Sequence, residues 1–169
     1  MLNINGNLTH FANPKAASDC LYPEKLKEII SVAKSIEPIE TIKTWPGYSV
    51  TPFYALASLA STAEVEQIWY KDESQRFGLK SFKALGGAYA VARQLQIALQ
   101  DSIGTSPSIK ELLKGGWSNE VDELVVSYAK DGNQGRSVAW EEQMFSCGCV
   151  IYEHRDVSEG TKNAMGVFG

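Results

Sequence analysis

The sequence predicts an α/β fold in which helical crossovers join parallel strands, because strand-like and helix-like runs alternate along its second half. An apolar run at 124–129 is typical of a buried strand, and a helical run follows at 137–145. Residues 149–152 then predict the next strand. A strand, a glycine-bearing turn, a helix and a second strand form a βαβ unit, whose strands are parallel.

The first part of the chain is predicted to be a helical scaffold over residues 1–62. Apolar residues at helical spacing predict a helix over 23–36, with Pro23 in its first turn and Pro38 marking its end. A second helix, rich in small residues, is predicted over 53–60. We expect this scaffold and residues 63–169 to form a single partial domain.

Residues 63–169 carry the remaining predicted elements. A strand-like run at 67–70 leads through a polar loop to a helix over 82–99, whose apolar stripe is more typical of a core than of a cofactor site. A loop and short helix follow at 101–114. A last helix is predicted over 158–165, with Ser158 as its cap.

Lys83 is the first candidate for chemistry, because the motif Ser81-Phe82-Lys83 opens a predicted helix. A helix N-terminus carries about half a positive charge, which disfavours a neighbouring ammonium and favours the neutral amine. A neutral lysine amine can form a Schiff base with an aldehyde. Gly86 and Gly87 indicate close packing or a flat ligand. The alternative is a solvated surface lysine, one of 16 basic residues.

The segment Lys130-Asp131-Gly132-Asn133-Gln134-Gly135-Arg136 is the second candidate. It lies between a predicted strand and a predicted helix, where a helix N-terminus attracts anions and polar side chains can face a cofactor. An ordinary glycine turn within a βαβ unit is the alternative interpretation.

Composition and charge disfavour several other classes of function. A net charge of −4 without a basic stripe argues against nucleic acid as a partner. We expect no membrane partner and a cytoplasmic location, since no secretory signal or long apolar run is present. We also expect no metal site, because Cys147 and Cys149 lack the usual C-x-x-C spacing. The odd count of three cysteines favours reduced thiols.

The motifs K-D-E-S-Q-R-F-G-L at 71–79 and S-F-K-A-L-G-G-A-Y-A at 81–90 closely resemble diaminopropionate ammonia-lyase. That family belongs to the fold-type-II enzymes of pyridoxal phosphate. The resemblance implies the parallel sheet of that fold, pyridoxal 5'-phosphate as cofactor and a small amino acid as substrate. It also implies a homodimer for complete members of the family and leaves the state of this chain open.

The resemblance assigns roles to four residues. Lys83 matches the lysine that holds the cofactor, and Phe82 matches the aromatic residue beside the pyridine ring. Asn133 matches the asparagine that hydrogen-bonds the phenolic oxygen of the cofactor. Asp131 matches the aspartate that acts as a base on one substrate enantiomer, a task for which a carboxylate beside the cofactor is suited.

Two positions depart from the family pattern, which has threonine and histidine where this chain has Lys130 and Gln134. We expect the change to Gln134 to affect the local geometry of the cofactor site. Lys130 could pair with Asp131 and keep its carboxylate ionised.

The resemblance implies elimination of ammonia from 2,3-diaminopropionate, with pyruvate and ammonia as products. In the family, the glycine-rich phosphate loop, the partner of the pyridine nitrogen and a second catalytic aspartate lie further along a longer chain. We therefore expect this chain to be the N-terminal portion alone, with an incomplete site. The alternatives are a non-catalytic fragment and a lyase similar to threonine or serine dehydratase.

Overall fold

The computed structural model describes residues 13–15, 20–129 and 132–167. Within these ranges the chain divides into two compact units. The first consists of residues up to 37 together with 53–71, and the second consists of 38–52 together with the residues from 72 onward. The described residues contain no helix that combines the length and the apolar character required to cross a membrane.

The first unit contains a small antiparallel sheet. Strand β1, Phe53–Ala55, pairs with β2, Trp69–Lys71, so that Tyr54 lies opposite Tyr70. The rings of Phe53 and Trp69 stack with centroids 5.0 Å apart. Aromatic pairs across antiparallel strands stabilise the pairing. Two short helices lie wholly in this unit: α1, Glu24–Lys27, and α3, Ala57–Thr62.

The predicted helix over 53–60 is wrong in its first half, because residues 53–55 form β1 and only the later residues enter α3. The run of small residues favoured a helix, whereas the aromatic partners in β2 are distant in sequence and stabilise a strand. The antiparallel pairing of β1 with β2 also differs from the all-parallel sheet that the sequence predicts.

The predicted helix over 23–36 is interrupted after α1, and a second helix, α2, extends over Val32–Lys43. Pro38 therefore lies inside a helix instead of marking its end. Proline deprives the carbonyl of Lys34 of its helical donor. Since Lys34 is exposed, water can hydrogen-bond that carbonyl and the helix continues.

The second unit holds most of the helices and a parallel pair of strands. A 3₁₀ turn, Arg76–Gly78, precedes the long helix α4. The elements from there onward are α4, Lys83–Ile103; α5, Ile109–Leu113; α6, Ser118–Asp122; β3, Val125–Tyr128; α7, Gly132–Phe145; β4, Gly148–Ile151; and α8, Glu159–Gly166.

The predicted βαβ unit is confirmed. Strands β3 and β4 are parallel, with Val126 opposite Cys149 and Tyr128 opposite Ile151, and α7 connects them. These four residues alternate with outward-facing ones, and Val125 is 61% exposed. The sheet thus has one half-buried face and one exposed face, on which Val125 and Val150 lie.

The core of the second unit lies between α4, α7 and the short helices α5 and α6. The predicted apolar stripe of α4 is confirmed in part, because Ala88, Ala92 and Leu95 are buried. The buried residues of this cluster are Val91, Ala92, Leu95, Leu99, Ile109, Leu112, Val121, Val138, Phe145 and Cys147. Packing of α4 against α7 places the N-terminal turns of these two helices in contact, which defines the candidate site.

Candidate functional site

The segment that precedes α4 is fixed by Arg76, which is only 5% exposed. Its guanidinium donates hydrogen bonds to the carboxylate of Glu73, to the carbonyl of Ser49 and to the hydroxyl of Thr51. The hydrogen bond with Glu73 raises the pKa of Arg76 above its usual value. We call Arg76, Glu73, Thr51 and Ser49 the arginine clamp. It ties residues 49–51 to the turn that leads into α4.

Phe77 adds an apolar anchor to the same turn. Its backbone has a φ of 49°, in the left-handed region, as do Gly78 and Lys80. A non-glycine residue there costs on the order of 1–3 kcal/mol, and the conformation persists only where its surroundings hold it. The Phe77 ring packs 4.9 Å from Trp140 and 6.2 Å from Trp45, centroid to centroid. This packing and the arginine clamp together set the direction in which α4 begins.

Lys83 is the first residue of α4, and Phe82 is its N-cap. The backbone N–H of Lys83 donates to the hydroxyl of Ser81, which satisfies one of the free donors at the helix start. Both Lys83 and Phe82 are exposed, and the Lys83 Nζ lies 5.0 Å from the centroid of the Phe82 ring. The predicted lysine and its aromatic neighbour are therefore together at the surface, accessible to a small molecule.

The two glycines after Lys83 have different surroundings. A Cβ at Gly87 would lie 2.3 Å from the Oγ of Ser137 and 3.0 Å from the Oε1 of Glu141. Because glycine has no Cβ, α4 can approach α7 closely at this position. A Cβ at Gly86 would meet nothing within 4 Å. Gly86 follows Lys83 by three residues and therefore shares its exposed face. The prediction of close packing is confirmed for Gly87. At Gly86 the backbone is instead exposed, with free space beside it.

The N-terminal turn of α7 carries Asn133, which is exposed. Ser137 lies four residues later on the same side of the helix. Its hydroxyl donates to the backbone carbonyl of Lys83, with an oxygen–oxygen distance of 3.2 Å. Through this bond the structure brings the start of α7, with Asn133, next to the start of α4, with Lys83 and Phe82.

Two predicted positions of this turn, Asp131 and Lys130, lie outside the described residues, and the role of Asp131 stays a prediction. Gln134 is half-buried in the first turn of α7. Its effect on a cofactor also stays a prediction.

Glu141 lies one turn beyond Ser137 and is completely buried. Its Oε1 is 3.3 Å from the Oγ of Ser137, and its Oε2 has no hydrogen-bond partner among the described residues. Burial raises the pKa of Glu141 to about 8, although its contact with Ser137 acts in the opposite direction. The carboxyl is therefore mainly protonated at neutral pH.

The arginine clamp and the pair formed by Ser137 and Glu141 were not predicted from the sequence. Glu73 precedes Arg76 by three residues, a spacing typical of an ion pair on one turn. Ser137 and Glu141 are four residues apart and flank the apolar run Val138-Ala139-Trp140. Polar residues at this spacing within an apolar helical run are a signal for a buried polar contact.

The cysteines remain free thiols, and Cys147 is buried. Burial raises the pKa of Cys147 to about 11, which disfavours the reactive thiolate. Within the described ranges no group of three or more His, Cys, Asp and Glu side chains is placed to hold a metal ion.

Comparisons with known proteins confirm the resemblance. The chain is 40% identical over 117 residues to diaminopropionate ammonia-lyase of Salmonella typhimurium. The aligned segment covers 65% of this chain and 27% of that protein. No family model matches the sequence.

Solved structures agree. The apo crystal structure of Escherichia coli diaminopropionate ammonia-lyase matches with a TM-score of 0.70 and 33% identity, covering 82% of this chain and 36% of that one. The structure of that enzyme in complex with an aminoacrylate-PLP azomethine reaction intermediate matches with a TM-score of 0.64 and 31% identity, over 82% of this chain and 33% of that one. The chain thus spans about a quarter of the curated relative and about a third of the solved chains.

Proposed function

We propose that this chain carries the lysine portion of a pyridoxal-phosphate-dependent lyase that eliminates ammonia from 2,3-diaminopropionate. The observation that carries the proposal is the exposed Lys83 amine beside the Phe82 ring at the start of α4. The similarity to diaminopropionate ammonia-lyases, one of them solved with a PLP-bound intermediate, supports the cofactor and the substrate class.

The residues at the site fit this cofactor. Lys83 presents a primary amine, Phe82 presents a flat apolar ring, and Gly86 leaves open space where a side chain would otherwise stand. Asn133 presents an amide from the neighbouring helix start. An amine can condense with the aldehyde of such a cofactor, an aromatic face can pack beside its ring, and an amide can hydrogen-bond its phenolic oxygen.

Each residue then has one task in the proposed reaction. Lys83 holds the cofactor through its amine, Phe82 packs beside the pyridine ring, and Asn133 donates to the phenolic oxygen. Asp131 accepts the Cα proton of the substrate, and loss of the Cβ amino group follows. Addition of water completes the conversion of one diaminopropionate to one pyruvate and two molecules of ammonia. The cofactor, when bound, supplies the electron sink for the carbanion.

We propose that the fold is part of a fold-type-II architecture, in which β3 and β4 belong to a larger parallel sheet. The exposed face at Val125 supports this assignment. The relatives are about three to four times longer than the aligned segment, so the activity of a complete enzyme is proposed from the site and the similarity together.

The test is addition of pyridoxal phosphate to the purified chain, followed by visible absorbance and by peptide mapping after borohydride reduction. We expect an absorbance band that is lost in Lys83→Ala and retained in Lys80→Ala. Lys80 is the matched control, because it is exposed and lies three residues before Lys83.

Labelling that spreads evenly over the lysines, with Lys83→Ala equal to the control, would contradict a specific cofactor lysine. Release of pyruvate from diaminopropionate would further distinguish the lyase from a non-catalytic fragment. Preference for serine or threonine would favour a dehydratase instead.

A further inference from the structure

The hydroxyl of Ser137 lies between two oxygen atoms, the carbonyl of Lys83 at 3.2 Å and the Oε1 of Glu141 at 3.3 Å. A serine hydroxyl has one hydrogen to donate and can also accept hydrogen bonds. A backbone carbonyl can only accept. Both contacts can therefore be hydrogen bonds at the same time only when Ser137 donates to Lys83 and Glu141 donates to Ser137, which requires a proton on the carboxyl.

The surroundings of Glu141 favour that proton. The carboxyl is fully buried, its Oε2 has no partner, and it belongs to no ion pair among the residues that the structure describes. A buried carboxylate without a cation or several donors is strongly disfavoured. Burial accordingly raises the pKa of Glu141 to about 8.

The groups that face Glu141 from neighbouring elements do not supply a compensating positive charge. From α4 the contact is Gly87, which has no side chain. From β4 and the turn before it come the thiols of Cys147 and Cys149, which supply no positive charge, and burial raises the pKa of both thiols. Helices α5 and α8 also pack against α7, and neither has a hydrogen bond or an ion pair with Glu141 in the described part of the chain.

We propose that Glu141 is a positioning residue for Lys83: its protonated carboxyl donates to Ser137, and Ser137 donates to the Lys83 carbonyl. This relay fixes the first residue of α4 against the first turns of α7, where Asn133 lies. Loss of the Glu141 proton would turn the serine hydrogen towards the carboxylate and release the Lys83 carbonyl. The importance of the relay for cofactor binding rests on the proposed function, whereas the relay itself does not.

The relay predicts a direction for the pH dependence of stability. The folded chain keeps the Glu141 proton up to about pH 8, whereas an unfolded chain loses it near the ordinary value of 4.5. The contribution of Glu141 to stability is therefore complete below about pH 4.5. It is lost as the pH rises from there towards about 8. Within this window the unfolding equilibrium constant increases by up to about tenfold per pH unit.

The first experiment measures the relay without any cofactor. Carbon-13 NMR of the glutamate side-chain carboxyls across pH 4–10 should show one resonance that titrates near pH 8, and this resonance should be absent in Glu141→Gln. Urea unfolding across the same range should show a pH slope in the native chain that is reduced in Glu141→Gln and retained in Glu142→Gln, the adjacent control. Titration of every glutamate below pH 6 would overturn the proposal, whether or not the variants fold.

The second experiment measures the consequence for Lys83. Reductive labelling with pyridoxal phosphate is mapped as the ratio of Lys83 to Lys80, which cancels the general rise of amine reactivity with pH. We expect this ratio to fall several-fold above pH 8 in the native chain and in Glu142→Gln. It should stay constant with pH in Glu141→Gln, whose amide can still donate to Ser137, and should be low at every pH in Ser137→Ala.

The two experiments separate failure of the relay from failure of the proposed function. If Lys83 is not labelled in preference to Lys80 at any pH, the proposed function fails and the NMR titration still decides the relay. If Lys83 is preferred but its ratio has the same pH profile in the native chain and in Glu141→Gln, positioning by Glu141 is wrong.

Discussion

Residues 72–79 and residues 82–87 adjoin each other in sequence but differ in how they meet the rest of the molecule. The first segment places Arg76 in a buried clamp and Phe77 in an aromatic cluster. The second segment exposes Lys83 and Phe82 at the surface and buries its other side, at Ala84 and Gly87. One segment is therefore defined by its contacts and the other by the groups it leaves accessible.

The difference shows that a single stretch of similarity can carry two separate tasks. The arginine clamp fixes the turn in which Phe77, Gly78 and Lys80 have left-handed backbones, and this turn sets the start of α4. The start of α4 then presents an amine that has no structural partner except the Phe82 ring among the described contacts. Substitutions in the first segment should affect stability, and substitutions on the exposed side of the second should affect chemistry.

The largest effect is expected for Arg76→Ala. The substitution removes the guanidinium that contacts Glu73, whose side chain is only 16% exposed. Loss of one partner of a buried ion pair costs about 3–5 kcal/mol in the free energy of unfolding. Urea unfolding followed by circular dichroism measures this loss.

Arg155→Ala is the matched control for Arg76→Ala, because the Arg155 side chain is 90% exposed and its contact with Asp156 is 3.6 Å long. An exposed pair of this kind contributes at most about 1 kcal/mol. The double variant Arg76→Leu with Glu73→Leu should lose less than the sum of the two single changes, since it leaves neither charge unpaired. Equal losses of stability for Arg76→Ala and Arg155→Ala would show that the arginine clamp contributes no more than an exposed ion pair.

A smaller effect is expected for Gly87→Ala. The new methyl group would lie 2.3 Å from the Ser137 Oγ, so the serine must rotate or α4 must move away from α7. Overpacking of this kind costs about 1–3 kcal/mol. Thermal or urea unfolding gives the value, and the glutamate NMR titration shows whether Glu141 keeps its proton.

Gly86→Ala provides the control at an exposed position of the same helix. Nothing lies within 4 Å of the new methyl group, and alanine favours a helix over glycine by about 1 kcal/mol. Gly86→Ala should therefore leave stability unchanged or increase it. Destabilisation of both variants by the same amount would mean that the two positions of α4 do not differ as described.

Much of the second unit could be predicted from the sequence because its signals are local. The apolar strands, the helix between them and the helical stripe of α4 each follow from a repeat within one short segment. The first unit was harder, since β1 and β2 are three residues each and are stabilised by partners more than ten residues away. Pairing between distant residues leaves little trace in a single sequence.

The candidate site also has one part that could be predicted from local sequence and one part that could not. Lys83 and Phe82 could be located from their motif, and Asn133 from the turn before a helix. The buried contacts that hold them could not, because Ser137 contacts the Lys83 carbonyl across 54 positions of sequence and Arg76 contacts Ser49 across 27. Only the packing of α4 against α7 makes the first contact, and no local pattern encodes it.

The smallest effect on stability is expected for Lys83 itself. Its ammonium lies at the start of a helix, where the dipole disfavours it by about 0.3–1 kcal/mol. Its contact with the Phe82 ring is favourable by about 0.5–1 kcal/mol at an exposed position. Because these terms oppose each other, Lys83→Ala should change the free energy of unfolding by less than about 0.5 kcal/mol.

Phe82→Ala separates the two terms, since it removes the favourable contact and leaves the ammonium at the helix start. It should be slightly less stable than Lys83→Ala, and the difference should shrink in high salt, which screens the helix dipole. If Lys83→Ala lowered the free energy of unfolding by more than about 2 kcal/mol, Lys83 would have a structural role, because substitutions of exposed residues rarely cost that much. If Lys83→Ala left the free energy of unfolding nearly unchanged and abolished labelling by pyridoxal phosphate, Lys83 would have a role in the chemistry of the site.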